Sequence, residues 1–534
     1  MPPTTTAGLG SGGRETLADR RHPLSSPAAG LDGPALIYGL AIIVVTFWLV
    51  NPTAFVTEDA YFYLVSARRF ARGQGQTFSG IFPTNGFHPL WLYLLYGWAS
   101  LCQLVRPSSL LSARFAVFPA AACFFWGTRQ LLGLARTLRL SAALVAGVPM
   151  VFVGVMGVLG SEGHALYAAA RTLLVRLAKG AGDEASDGLA SDGKAIVTGL
   201  WAALVVLARL DSIFWIAAFG AWSLASSGAT PAPRVTRRRL GLCLGTCVVA
   251  LGPYLLSNAV WFGGLLPISG WMKSSFPRLR PVKPANSLLG AFRGYNNLFG
   301  HAPIVLGLLS YPTWARRHRL VSPLLLGCLG HDVYTSLFGS YSEWYWYYVL
   351  NVTLGALCLG FVAARLTARP VVASLVAVAV ALSGLLGLMS LRLHSQLGRL
   401  HAFQPTKFLN DAGVRDQAVL VGDTPGYIAF YSEAEIVAAD FLTGSRRTFE
   451  TIAHDPNPLR ALFRTYQQAG HPFAYVIWDE NRWLGASSDW RTLRLFHPKN
   501  GRDGEPFGEL GMPPPVLVTP SAVVWDVRGM SFDP

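Results

Sequence analysis

Charge is scarce in this chain. Of 534 residues only 14% are Asp, Glu, Lys or Arg, against roughly a quarter in a typical soluble domain. The shortage is uneven. Segments 35–50, 140–160, 241–262 and 371–391 hold next to none, and several approach the roughly 20 residues that a helix needs to cross a bilayer. An ordinary soluble enzyme is excluded, and so are disordered and fibrous proteins. Cysteine is also sparse: all six (Cys102, Cys123, Cys243, Cys247, Cys328, Cys358) lie in apolar stretches and no CxxC pair occurs. A disulfide framework or a thiolate metal site is therefore not expected. There is no internal repeat and no nucleotide-binding glycine loop. Acidic residues are the scarcer sign, 29 against 44 basic, for a net charge of +15. From residue 392 onward 14 basic residues face 16 acidic ones, which leaves 30 against 13 before that point. A basic excess confined to the apolar part fits the positive-inside rule better than nucleic-acid binding.

What remains reads as a helical polytopic membrane protein. Residues 1–33 are rich in Pro, Gly, Ser and Thr, carry Arg14, Arg20 and Arg21, and have no small-residue cleavage site. They are expected to form a disordered cytoplasmic tail. Residues 34–391 form the membrane part. Basic clusters at Arg234 and Arg237–Arg239, at Arg316, Arg317 and Arg319, and at Arg365 and Arg369 mark cytoplasmic ends. Between them, spans near 241–262, 301–315, 320–338, 346–364 and 371–391 alternate. The first outer loop covers 51–107. Its segment 89–105, with Trp91, Tyr93, Tyr96 and Trp98, is expected to lie along the interface rather than cross. Segments 34–50, 108–128, 140–160 and 164–178 then span. The 31 residues 195–225 are too long for one span and divide at Arg209-Leu210-Asp211. About eleven crossings follow, with the N-terminus cytoplasmic. Residues 392–534 lie outside as a small α/β or α+β domain, with strand-like runs at 418–421, 435–439, 473–478 and 523–527 and a helix at 458–468.

Polar groups cluster on the outer side. The motif TEDAYFY (57–63) puts Glu58 and Asp59 at a membrane lip, where carboxylates either bind a cation or a hydroxyl or else cap a helix running to residue 72. Arg68 and Arg69 stand against the positive-inside bias and fit phosphate or lipid headgroups. His88, in the rigid turn PTNGFHPLW (83–91), is either a donor to phosphate or hydroxyl or a structural histidine. Lys273, in LPISGWMKSS (266–275), is a phosphate anchor or a snorkelling lysine. Arg209 and Asp211 sit at an outer lip. Trp344 and Tyr345 open the aromatic run WYWYY (344–348), which suits stacking on a sugar or polyisoprenoid, or an interfacial belt. The segment VGDTPG (421–426), with Asp423, reads as a strand-to-turn connection.

The stretch EDAYFYLVSARRFARGQGQTFSGIFPTNGFHPLW (58–91) resembles the first outer loop of bacterial GT-C superfamily membrane glycosyltransferases. That superfamily includes protein O-mannosyltransferases, lipid A aminoarabinose transferases and oligosaccharyltransferases. LARLDSIF (207–214) and PYLLSNAVWFGGLLPISGWMKSS (253–275) are similar to later segments of the same branch. The resemblance implies transfer of a sugar from a polyprenyl-phosphate donor to a glycan, lipid or protein acceptor at the outer face of a bacterial plasma membrane. It places the acidic motif on Glu58 and Asp59, with Asp59 favoured as general base and both as possible ligands of a divalent cation. The all-oxygen ligand set would favour Mg or Mn. It puts the second outer-loop acid on Glu162, in a GSEGH setting (160–164) that departs from the usual Gly-Met-Glu, and the donor phosphate on Lys273. The competing expectation is a transporter or flippase of polyprenyl-linked sugars, using the same outer cations without making a bond.

Overall fold

A computed structural model describes residues 56–138, 162–178, 191–226, 237–279, 295–314, 321–339, 345–366, 402–422, 424–479, 483–497 and 505–532, with a few single positions between them. The expected spans at 34–50 and 371–391, and most of 140–160, lie outside these residues, as do Asp423 and Trp344. The membrane part is built from helices α1 (Glu58–Ala71), α2 (Pro89–Val105), α3 (Val117–Thr137), α4 (Gly163–Ala178), α5 (Asp192–Ala208), α6 (Ile213–Ser226), α7 (Arg237–Phe262), the short α8 (Ile268–Met272), α9 (Tyr295–Trp314), α10 (Val321–Phe338) and α11 (Val349–Leu366). Among the described residues one helix, α7, is long and apolar enough by itself to cross a bilayer; α2, α6 and α11 contribute shorter apolar runs. Its Val248, Val249 and Leu256 project outward, uncovered by protein.

The helices pack closely where glycine removes the side chain. A Cβ on Gly199 of α5 would lie 2.3 Å from the Cys243 carbonyl of α7, and one on Gly327 of α10 would lie 2.5 Å from the Trp215 backbone of α6. Small residues at crossings are the usual means of helix association in lipid, where burial of apolar surface supplies no drive. The helical run from 192 to 226 breaks where the sequence predicts. Helix α5 ends at Ala208, a single 3-10 turn spans Leu210–Ser212, and α6 begins at Ile213.

The C-terminal domain, expected from the sequence to lie outside and called the outer domain below, is α/β. Strands β1 (Arg415–Val421), β2 (Glu433–Ala438), β3 (Phe473–Trp478), β7 (Leu517–Val518) and β8 (Val523–Asp526) form one sheet in the order β2-β1-β3-β8-β7. The first three are parallel, and β8 adds antiparallel to β3. A second sheet holds β4 (Leu484–Ala486), β5 (Thr492–Phe496) and β6 (Pro506–Gly511). The parallel strands read as continuous apolar runs because both faces are covered; Val419, Leu420 and Val421 are fully buried. Three helices cross between them: α12 (Pro425–Tyr431), α13 (Arg446–Ala453) and α14 (Pro458–Gln468). Proline at the first position suits α12 and α14, since that N–H has no helical partner.

Helix α12 fixes this domain to the membrane part. Its first amides, on Gly426 and Tyr427, donate to the Glu58 carboxylate. At its other end the carbonyls of Ala429 and Phe430 accept from the two terminal nitrogens of Arg68, each at 2.9 Å. Thus α1 presents an anion to the positive end of α12 and a cation to the negative end, the pairing that the helix dipole favours. Arg69 follows with a longer contact to the Ala434 carbonyl, 3.5 Å. Burial lowers both guanidinium pKa values to about 10, so both stay charged at neutral pH. Against the expectation of a phosphate ligand, the terminal nitrogens of Arg68 are given to main-chain carbonyls of the outer domain, while Arg69 divides its donors between the Ala434 carbonyl and Gln74 Oε1.

Replacing Arg68 by Ala removes two charge-assisted hydrogen bonds from a buried site and should cost about 2–4 kcal/mol. A lowered thermal midpoint, with earlier proteolysis of the outer domain, is the expected result. An unmoved midpoint would show that this clamp does not hold the domains together.

Candidate functional site

Four separate outer segments converge below the outer domain: the start of α1, the turn 83–88 before α2, the 3-10 turn after α5, and the segment 263–275 after α7. Asn85 ties the second to the last. Its Oδ1 accepts from the Ile268 amide and its Nδ2 donates to Asn258, both at 3.2 Å.

At the centre lies Arg209, 1% exposed. Its Nη1 donates to Glu162 at 3.0 Å, and its Nε and Nη2 hold Asp211 at 3.0 and 2.5 Å. Its guanidinium stacks 4.1 Å from the ring centre of Tyr347. A buried guanidinium with two carboxylates is compensated on both sides. On the far side of Asp211, His331 Nε2 approaches Oδ2 at 3.4 Å. Burial opposes the charge of Asp211, but Arg209 and His331 outweigh it and hold this carboxyl well below the usual range.

His88 lies between the Arg209 turn and Glu162. Its Nδ1 accepts from the Leu210 amide at 3.3 Å, so the proton belongs on Nε2, which faces Glu162 at 3.8 Å. Burial lowers its pKa to about 4, with the neighbouring Glu162 pulling the other way. It is a neutral ring that fastens the first loop to the Arg209 turn.

Lys273, just after α8, donates to the Tyr347 hydroxyl at 2.6 Å. Burial works against its charge, yet Tyr347 and Asp59 beside it raise its pKa overall. One of the three ammonium protons goes to Tyr347. Asp59 stands in the same field: burial raises its pKa, Lys273 lowers it, Glu162 raises it and Arg209 lowers it. This cluster joins Asp59, Glu162, His88, Arg209, Asp211 and Lys273. Glu58 is set apart from it by its engagement with α12, and Arg68 and Arg69 by theirs with the outer domain. Of the aromatic run, Trp344 and the Tyr345 side chain lie outside the described residues; Tyr347, two positions on, is the ring that reaches the cluster.

The residue types fit a divalent ion poorly. Glu58, one of its two expected ligands, accepts backbone N–H bonds instead, and Asp59 is already balanced by a lysine. Among the described residues no group of three His, Cys, Asp or Glu side chains is placed to hold a metal. Sequence reasoning missed His331, which stands in an apolar span; Tyr347 lies inside the aromatic run 344–348 that the sequence singles out.

The arrangement is a membrane helix bundle whose outer loops, roofed by an α/β domain, gather buried charges at one surface. The fold is similar to that of a solved membrane-lipid-binding protein. ArnT from Cupriavidus metallidurans, solved bound to undecaprenyl phosphate, superposes with a TM-score of 0.56 at 13% identity, over 93% of this chain and 98% of that one. An oligosaccharyltransferase from Archaeoglobus fulgidus in the apo form matches at 0.48 and 14% identity, over 84% of this chain and 69% of its own. The arabinofuranosyltransferase AftD from Mycobacteria matches at 0.42 and 14% identity, over 94% of this chain and 40% of its own. No family model matches the sequence, and no curated protein matches it.

Removing Arg209 leaves Glu162 and Asp211 without their common cation. Arg209→Met should therefore destabilise the protein by about 3–5 kcal/mol, as for other broken buried pairs. Denaturation of the detergent-solubilised protein measures it. A loss below about 1 kcal/mol would place the network among solvent-screened pairs.

Proposed function

We propose that this chain is a glycosyltransferase that moves a sugar from a polyprenyl-phosphate donor to an acceptor hydroxyl at the outer face of the membrane. The observation that carries the reading is that Asp59, at the start of α1, and Lys273, just after α8, are both half-buried and lie within electrostatic reach of one another and of Glu162. The likeness to ArnT supports the choice of a polyprenyl-phosphate donor.

In this reading Lys273 neutralises the donor phosphate, which makes polyprenyl phosphate a better leaving group. Asp59 accepts the proton of the acceptor hydroxyl as its oxygen attacks the anomeric carbon. The bond from that carbon to the phosphate oxygen breaks, and the configuration inverts. A base so placed contributes on the order of 10²–10⁴-fold. Glu162, His88 and the Arg209–Asp211 pair do not touch the reacting atoms; they fix the loops that carry Asp59 and Lys273. Glu58 joins the domains.

Purified protein in lipid, given donors labelled in the sugar and a cell-envelope extract, should transfer label. Asp59→Asn should abolish transfer by a factor of about 10² or more while leaving the thermal midpoint in place. Wild-type rates within a few-fold in that variant would overturn the reading. The pH profile carries a sign as well. The base must be ionised and its pKa is raised, so transfer should fall on the acid side at a pH above the usual aspartate value of about 4. Lys273 is held cationic beyond its ordinary range, so it adds no alkaline limb near neutrality.

A further inference from the structure

A recess of about 400 Å³, its open mouth included, lies between the first loop and the outer domain. Its lining takes in Ile436, Val437 and Ala438 at the carboxyl end of β2, the end at which open α/β sheets receive ligands. The turn that follows β2 supplies Phe441 and Thr443. Phe441 takes a φ of +57°, and Gly444 N donates to the Phe441 carbonyl at 3.1 Å, so the turn is tightly specified. Phe82 of the first loop meets the ring of Tyr466 on α14 edge to face, 4.9 Å between centres. Two further contacts seat the turn on the membrane part. The Leu442 carbonyl stands where a Cβ on Gly86 would lie, which leaves glycine as the residue that fits. Phe441 shares one apolar core with Ile268 and Met272 of α8, the helix that ends next to Lys273.

Among the described residues, five hydroxyl side chains line the recess and no charged one does. Three of the hydroxyls are already engaged. Ser79 Oγ accepts from the Ile81 amide at 3.1 Å, and Ser445 and Thr448 share a hydrogen bond at 2.9 Å. The other two are not. No hydrogen bond among the described residues engages the Thr443 or the Tyr466 hydroxyl, although these residues are only 8% and 7% exposed. Polar groups so deeply placed ordinarily have a partner.

The lining selects among ligands. A phosphate or carboxylate would find no cation in it, a metal ion no carboxylate, and a hydrocarbon chain would strand the hydroxyls. A sugar ring matches both kinds of surface, with hydroxyls on its rim that give and accept hydrogen bonds and C–H groups that pack on aromatic rings. We propose that this recess binds one neutral sugar unit, with Thr443 and Tyr466 hydrogen-bonding its hydroxyls and Phe82 and Phe441 packing on its faces. Asp59, Glu162 and Lys273 do not line it, so the unit held is not the one being transferred. It belongs to the acceptor, which makes the acceptor a glycan; this assignment rests on the reading of the chain as a glycosyltransferase.

The test is saturation-transfer NMR of the full-length protein in lipid, with the methyl glycosides of mannose, glucose, galactose and arabinose as probes. At least one should bind saturably, and inorganic phosphate should not displace it. Thr443→Val and Tyr466→Phe each remove an unpartnered hydroxyl and keep the shape. Each should leave the thermal midpoint in place and weaken the glycoside by about 3–10-fold. Binding by none of the four, or binding unmoved in both variants, would overturn the proposal. Asp59→Asn should bind the glycoside as wild type does; a loss there would put the sugar in the reaction site and overturn it as well. In the transfer assay Thr443→Val should raise the KM for the acceptor at unchanged kcat, whereas a raised KM for the donor would overturn the assignment to the acceptor. Glycoside binding that responds to both variants, in a protein that transfers nothing, would instead overturn the transferase reading and leave the sugar site standing.

Discussion

The contact on which the rest depends is the double hold of α1 on α12. A seven-residue helix is too short to be stable by itself, and α12 owes its fixed position to partners at both ends. Glu58 and Arg68 are ten residues apart on α1, close to three helical turns, and α12 is about two turns long. Two side chains on one helix can therefore reach both termini of the other. Once α12 is set, β1 and β2 on either side of it are set too, and with them the turn 440–444 that follows β2. In an open α/β sheet, ligands bind outside the carboxyl ends of the strands, often at a helix N-terminus. Here Glu58 occupies that position on α12. The edge of the sheet that elsewhere receives a substrate anion receives the membrane part.

Within the site, burial and pairing drive neighbouring acids apart. Arg209 and His331 stand against Asp211 and hold its carboxyl well below the usual range, whereas burial raises Asp59. Groups of one chemical type thus acquire different protonation from their surroundings, which is how acid–base roles are divided at neutral pH. The division depends on Arg209 being spent inside the protein. If its guanidinium were free to reach a donor phosphate, Asp211 and Glu162 would lose their counter-charge. The reaction would then lean on a residue that also holds α5 to α6.

Much of this was legible in the chain. The strand runs 418–421, 435–439 and 473–478 announce themselves as uninterrupted apolar segments, and the helix at 458–468 by its asparagine and proline start. The break at Arg209-Leu210-Asp211 shows as charge in an apolar run too long for one helix. The clustering of acids and cations on the outer side was also readable, because membrane spans leave few places for charge. The partner of each charge was not. Arg68 and Arg69 look like phosphate ligands from sequence because they stand against the positive-inside bias; Arg68 instead meets a carbonyl edge 361 and 362 residues away. Glu58 and Asp59 are adjacent in sequence but a third of a turn apart on a helix, so one faces the outer domain and the other Lys273. Tyr347 lies within an aromatic run, where nothing separates it from its neighbours, and His331 in an apolar span without local signal.

The same geometry constrains how the site can assemble. Asp59 lies next to the residue that grips α12, His88 lies two positions from the glycine that admits Leu442, and Lys273 directly follows the helix that packs on Phe441. These three residues of the site are thus each within two positions of a contact with the outer domain. Burial raises the Asp59 pKa, whereas Lys273 is held cationic against burial by Tyr347 and Asp59. A buried charge pair gains more from electrostatic attraction than an exposed one, but only after water has been excluded. On the proposed reading the outer domain is therefore part of the site rather than an appendage to it: it supplies the roof under which Asp59 and Lys273 lie.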